Sequence, residues 1–297
     1  MIPREAGFLL LTCRMGNPER KVLTTAQLRT LSQRMKNFPL DDPERDLIPE
    51  DLMKLGYGQE LAQRIVALLE EEDLLLRYLR RGQKAGCTAI SRVSELYPAI
   101  LRQRLGEETP GCLWAKGNLE ILNERKIALV GSRNLNPKNA EFAREAGRQA
   151  ALQGYTLVSG NARGADRVSQ EACLTSGGRV ICIVADSLEK HDLRENVLYL
   201  SEDAFEEAFS AQRALSRNRC IHALGEKTLV AQSSYQHGGT WDGTVKNLRF
   251  GWSPVFCFDD GSPAVQLLEE MGASPVGPDA LTDLEALRGT EDNFLAR

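Results

Sequence analysis

Three short segments combine glycine, hydroxyl and cationic or amide side chains in a way that suits an oxyanion. They are Gly131-Ser132-Arg133, the run Ser159-Gly160-Asn161-Ala162-Arg163-Gly164-Ala165-Asp166, and Gln236-His237-Gly238-Gly239-Thr240. Glycine lets a backbone approach a ligand closely, a hydroxyl donates, and arginine presents a planar fork of donors to phosphate. A loop of small residues entering a helix also exposes backbone N–H groups to an anion, each charge–dipole contact adding roughly 0.3–1 kcal/mol. Arg217-Asn218-Arg219 supplies two further guanidinium groups, with Glu202, Glu206 and Glu207 as alternative ion-pair partners. None of these runs is a G-x-G-x-x-G fingerprint or a Walker A loop. Any one glycine turn is also what strand-to-helix geometry demands; three on one sheet edge, two of them with arginine, point to phosphate.

Those loops need strands before them and helices after them. From Lys126 the chain reads as Ile127–Val130, Tyr155–Val158, Val180–Val184, Val197–Leu200, Lys227–Ala231 and Val255–Phe258 in strands. Helices fall between them, from Pro137 to about Gln153, from Gly164 to about Thr175, at Arg213–Leu224, at Thr240–Phe250 and at Ala264–Met271. Short strands alternating with helices predict an α/β fold, a Rossmann-like, mostly parallel sheet with helices on both faces. In such sheets ligands bind beyond the carboxyl ends of the strands, where the three loops lie. The first 120 residues read as a small helical domain with a connecting segment: Thr24-Thr25 cap a stripe of Leu28, Leu31 and Met35, and Leu61, Ile65, Leu68 and Leu69 recur at helical spacing. Cys112–Ala115 is a short strand leading to the boundary, and 121–297 form the second domain.

Composition narrows the partner. The chain of 297 residues carries 37 Lys plus Arg against 41 Asp plus Glu, a net charge of -4, which excludes a polybasic nucleic-acid binder. The acidity is local: residues 258–297 hold 2 basic and 9 acidic side chains, whereas 126–257 hold 16 and 14, eleven of the basic ones arginine. Binding to a polyanion would therefore be confined to one pocket edge. The 7 cysteines are scattered without C-x-x-C spacing and read as buried thiols, and the 3 histidines lie far apart, so no metal and no cofactor is expected. No stretch approaches the roughly 20 apolar residues of a membrane span, and Phe8–Leu11 is too short for a signal-peptide core, so the expected location is cytoplasmic.

Taken together, Lys126–Arg133, Ser159–Asp166, Gly177-Gly178 before a strand and Arg217-Asn218-Arg219 resemble the DNA-processing protein A (DprA, or Smf) family, with Tyr97-Pro98, Leu101 and Leu113–Asn118 matching the segment upstream. The resemblance covers roughly 60–275 and implies an extended Rossmann domain behind a helical domain of sterile-alpha-motif type. It implies a protein that is not an enzyme, binds single-stranded DNA in natural transformation, loads the RecA recombinase and is often a homodimer. Carried over by position, Arg133, Ser159, Gly160, Arg163, Gly164, Arg217 and Arg219 would line a pocket for backbone phosphate. This chain departs from the family pattern at Ala214 and Leu215, where members have an aromatic-proline pair that offers a base a stacking surface. It also departs at Asn161, at Ala165 and in the run His237–Thr244; Trp241 reads first as core or loop packing, and is otherwise the best substitute for the missing stacking aromatic. No room remains beyond about 275 for the winged-helix domain of some members. The other reading is a nucleotide-ligand protein, a phosphoribohydrolase-like enzyme or a nucleotide-signal sensor. It would use the same loops, with Gly238-Gly239 and Gly243-Thr244 cradling a small phosphorylated ligand and Asp166 and Asp242 as candidate carboxylates.

Overall fold

The computed structural model describes residues 2–36, 46–202 and 204–289. Among the described residues the chain opens with helices α1 (Pro3–Thr12), α2 (Thr25–Met35), α3 (Pro49–Lys54), α4 (Gln59–Leu69) and α5 (Glu72–Lys84). Strand β1 (Thr88–Ser91), helix α6 (Ala99–Leu105) and strand β2 (Cys112–Lys116) follow. The remainder alternates: β3 (Lys126–Val130), α7 (Pro137–Leu152), β4 (Thr156–Ser159), α8 (Ala165–Thr175), β5 (Val180–Ile183), β6 (Val197–Ser201), α9 (Ala211–Ser216), α10 (Asn218–Leu224), β7 (Thr228–Val230), α11 (Gly238–Phe250), β8 (Val255–Phe258), α12 (Pro263–Glu270) and β9 (Ser274–Val276).

The strands form one sheet in the order β1-β2-β6-β5-β4-β3-β7-β8-β9. Every neighbouring pair is parallel except β1–β2 and β2–β6. The mostly parallel Rossmann-like sheet expected from the alternation is what the chain forms. Strands buried on both faces carry apolar residues at consecutive positions. In β3, Ile127 and Leu129 face a layer with α7 and α8, while Ala128 and Val130 face one with α6, α10, α11 and α12. A third, smaller cluster holds α1 to α4 around Leu31, Leu52 and Ile65.

Several boundaries differ from the sequence reading. β1 and β2 precede residue 120, yet both pair into the sheet and cover the β6 edge that would otherwise stay open. β1 was not visible in the sequence because Thr88-Ala89-Ile90-Ser91 has no apolar run. β9 escaped because Pro275 stands in it, which an edge strand tolerates. The helix expected over Arg213–Leu224 is two helices, α9 and α10, broken at Arg217 where its side chain turns into the interior.

The helical layer is tied to the sheet by aromatic packing. Trp114 of β2 lies edge-on to Tyr78 of α5 at 5.3 Å and 4.8 Å from Phe205. Gly82 on α5 makes room for it, since a Cβ there would stand 2.3 Å from the Trp114 ring. Gly82→Ala is expected to cost about 1–3 kcal/mol by overpacking, despite alanine's better helix propensity, and urea unfolding of the two proteins measures it. Arg20, also buried, closes the end of α1 by donating to the carbonyls of Leu10 (2.7 Å) and Cys13 (2.6 Å) and pairs with Glu71.

Candidate functional site: a cavity at the switch point of the sheet

Strand order fixes where the loops meet. From β3 the chain proceeds to β4, β5 and β6 on one side, then crosses to β7, β8 and β9 on the other. The loops after β3 and β7 therefore diverge at a topological switch point, the crevice in which open α/β sheets bind ligands. A cavity of about 490 Å³ lies there. Its lining includes Gly131, Ser132 and Arg133 after β3, Ala162 and Asp166 after β4, Ala214, Leu215, Arg217, Asn218 and His222 of α9 and α10, and His237 to Thr240 entering α11.

Backbone contacts hold the loops together. The Ser132 N–H donates to the Gln232 carbonyl at 2.9 Å, and the Ser132 carbonyl accepts from Ala165 N–H at 3.1 Å. Gly164 adopts φ +82°, and a Cβ on it would meet the Ser132 and Arg133 carbonyl oxygens at 2.4 and 2.6 Å. Glycine is required there by conformation and by space together. A Cβ at Gly131 would stand 2.5 Å from that of Ala165, so this glycine brings the β3 loop onto the start of α8.

Asp166 sits beneath these loops, where its carboxylate accepts from the N–H groups of Gly160 and Ala162, both at 3.1 Å. It thus closes the turn before α8 rather than capping the helix. Arg217 covers the same turn, donating to the Gly160 carbonyl at 3.0 Å, and leaves no room for a side chain at Gly160. Burial pushes the Asp166 carboxyl up, opposed by Arg217 and the two backbone donors; it pulls the Arg217 guanidinium down, opposed by Asp166 and Glu202.

The expected site residues therefore separate. Gly131, Ser132, Arg133, Asn218, Gly238, Gly239 and Thr240 line the cavity, and Arg133 is exposed to it. Arg217 lines it too, but as part of the buried support. Ser159 lies fully buried against Gln170, and Gly160 supports the floor through Arg217 and Asp166. Arg163 stands exposed beside the cavity and reaches the Asn134 side chain at 3.2 Å. Arg219 turns away, bound to Glu202 at 2.9 Å and to the Glu108 carbonyl at 3.0 Å, the ion-pair alternative noted for this run.

Trp241 is 8% exposed and packs in the core layer with its ring 6.1 Å from Tyr235, so it offers no free face. The aromatic that faces the cavity is Phe209, 56% exposed. Ser210 caps α9 by accepting from Arg213 N–H at 3.1 Å, which leaves Phe209 just outside the helix. Its sequence signal is an aromatic preceding a capping serine, five residues ahead of the Ala214-Leu215 pair that stands where family members carry their aromatic.

His222 is the other residue the motifs did not single out. It is fully buried under the cavity, with Nδ1 3.1 Å from the Asn247 amide, which also reaches Ser253 at 3.1 Å. Burial holds the imidazole neutral, its pKa pushed down to about 3. The unfolded chain therefore binds a proton in a pH range where the folded one does not. Stability should fall by up to about 1.4 kcal/mol per pH unit below about 6.5, continuing toward pH 3. Urea midpoints between pH 7 and 4.5 test this, with His222→Gln expected to show a shallower fall.

The model of the DNA recombination-mediator protein A family matches residues 88–247, a span that contains every loop of the cavity. The chain belongs to that family. The DNA processing protein DprA of Bacillus subtilis is 29% identical over 209 residues, which are 66% of this chain and 70% of that protein. The chain spans about half the length of other curated relatives it matches. Two solved structures of DNA processing protein A share the fold. That from Streptococcus pneumoniae superposes with a TM-score of 0.60 at 23% identity, over 89% of this chain and 99% of its own. That from Helicobacter pylori, described for its single-stranded-DNA binding mode, gives 0.52 at 22% identity, over 62% and 87%. The recombination-mediator core thus runs from β1 to α11, and the switch-point cavity is the feature it frames.

Proposed function

We propose that this recombination-mediator protein A family member binds single-stranded DNA, holding a backbone phosphate in the switch-point cavity. The observation that carries the reading is the convergence of the loops after β3, β4 and β7 on one cavity beside an exposed aromatic. Arg133 stands on one wall beside Ser132, whose hydroxyl donates to the Asn134 carbonyl at 2.9 Å and fixes the loop. On the other, α11 begins without a side-chain cap from His237, so its first N–H groups are free for an oxyanion. Phe209 at the rim offers a stacking face, the second element that single-strand binding needs. The name of the H. pylori neighbour, which refers to single-stranded DNA, supports the same assignment.

Binding rather than chemistry fits the groups present. The Asp166 carboxylate is engaged by two backbone donors and faces the positive charge of Arg217 across the turn, and the buried neutral His222 is held by Asn247. A role in DNA uptake and processing, loading of a RecA-type recombinase and assembly as a dimer belong to this proposal as the family's features. One observation favours the nucleotide-ligand reading: about 490 Å³ is within the range of pockets that enclose a small molecule. Fluorescence anisotropy with labelled oligo-dT, challenged by equal-length duplex and by AMP, separates the two. Single-strand binding that duplex and AMP fail to compete supports the proposal; AMP binding without oligo-dT binding supports the nucleotide ligand.

A further inference from the structure

We infer that Arg167 and Arg194 form a second phosphate site, which takes a neighbouring phosphate of the same strand that enters the switch-point cavity. The inference rests on the single-strand reading above. The turn at 160–166 is a ridge with a cavity on each side: Ala162 and Asp166 face the first, and Asn161 faces a second of about 300 Å³. This second cavity lies between α8 and the chain entering β6, over a floor that includes Cys182 and Tyr199.

Arg167 follows Asp166 directly on α8, and Arg194 comes from the opposite wall. Both line this cavity together with Cys182 and Tyr199 and act electrostatically on them, and Arg194 also hydrogen-bonds the Tyr199 hydroxyl. Among the described residues neither arginine makes an ion pair. The nearby His191 is engaged instead, with Nε2 3.0 Å from Asp186 and its ring stacked 4.6 Å from that of Tyr199. The backbone of Arg194 is fixed, because its carbonyl accepts from Val197 N–H at 3.2 Å in an isolated bridge. Lys190 adds a third cation, while Glu171 and Asp192 also line the cavity. Those carboxylates would repel a diffuse anion; two arginine forks converging on one floor suit a single phosphate.

A ridge between two cationic cavities is the geometry that lets adjacent phosphates of one strand straddle a loop. The double variant Arg167→Ala/Arg194→Ala tests it, read by anisotropy with labelled oligo-dT of about two nucleotides, which carries a single internucleotide phosphate, and of about sixteen. Each phosphate contact on a single strand contributes about 0.7 to the slope of log affinity against log salt, so losing this one makes the slope shallower by about 0.7. For the longer strand that is about a 5-fold loss at 0.1 M salt relative to 1 M. The shorter strand, anchored in the first cavity, should keep its affinity within about twofold.

An unchanged slope with the longer strand overturns the inference, and so does equal weakening of both strands. AMP binding that the double variant abolishes, with oligo-dT unaffected, would assign the arginines to a free nucleotide and overturn it as well. Wild-type protein that binds neither oligonucleotide overturns the single-strand reading itself, a result distinct from the other three.

Discussion

Arg217→Ala is expected to remove about 3–5 kcal/mol of stability, because it leaves the buried Asp166 carboxylate without the opposite charge that acts on it across the turn. Arg217 and Asp166 are 8% and 7% exposed, and burial works against the charged form of each. The two charges are thus held at some cost, offset by their attraction across the turn and by the N–H groups of Gly160 and Ala162 that bind Asp166. Without the guanidinium, Asp166 keeps its burial and loses its main opposing charge, and the Gly160 carbonyl loses its donor. At roughly 2–4 °C per kcal/mol, the thermal midpoint should fall by on the order of 10 °C. A midpoint within about 2 °C of wild type would mean that Arg217 does not support the turn. Replacing both partners together, Arg217→Met with Asp166→Leu, should be milder than the single change, since no uncompensated charge then remains buried. Loss of DNA binding in Arg217→Ala alone would therefore report a collapsed loop and not a lost phosphate contact.

Phe209→Ala should act in the opposite way, leaving stability unchanged and weakening single-strand binding. The ring is 56% exposed at the cavity rim, so its removal takes little from the core. Stacking of one base on an aromatic contributes about 1–3 kcal/mol, a loss of roughly 5- to 150-fold in affinity for oligo-dT. Phe209→Trp should keep most of the affinity, because the stacking face is retained. Trp241→Ala separates the two aromatics: Trp241 is buried, so its truncation should lower the melting temperature before it touches affinity. Equal affinity in wild type and Phe209→Ala would remove the stacking element from the proposed function.

Much of this arrangement was legible in the residues. Alternation of short apolar strands with helices sufficed for the parallel sheet, and the glycine-containing runs at 131, 160–164 and 238–239 marked the loops that the switch point brings together. What the sequence did not show was direction. Arg217 and Arg219 are two residues apart, so around a helical turn they cannot share a face. One enters the support beneath the cavity and the other pairs with Glu202 on the far side. Phe209 was hidden for a related reason, since its exposure follows from where Ser210 starts α9 and not from any motif. His222 could not be placed because its partners, Asn247 and the nearby Ser253, come from segments 25 or more residues away. The arginines at 167 and 194 gain meaning only when α8 and the approach to β6 face each other across one floor.

The central claim is that a single strand enters the cavity at the switch point. Photo-cross-linking with an oligo-dT that carries 4-thiothymidine, followed by peptide mapping, locates the strand most directly. The cavity account predicts adducts on the segment carrying Phe209 and on the loops at 131–134 and 237–240, suppressed by excess unlabelled oligo-dT. Adducts confined to the helices of residues 2–84, with none on those loops, would contradict it.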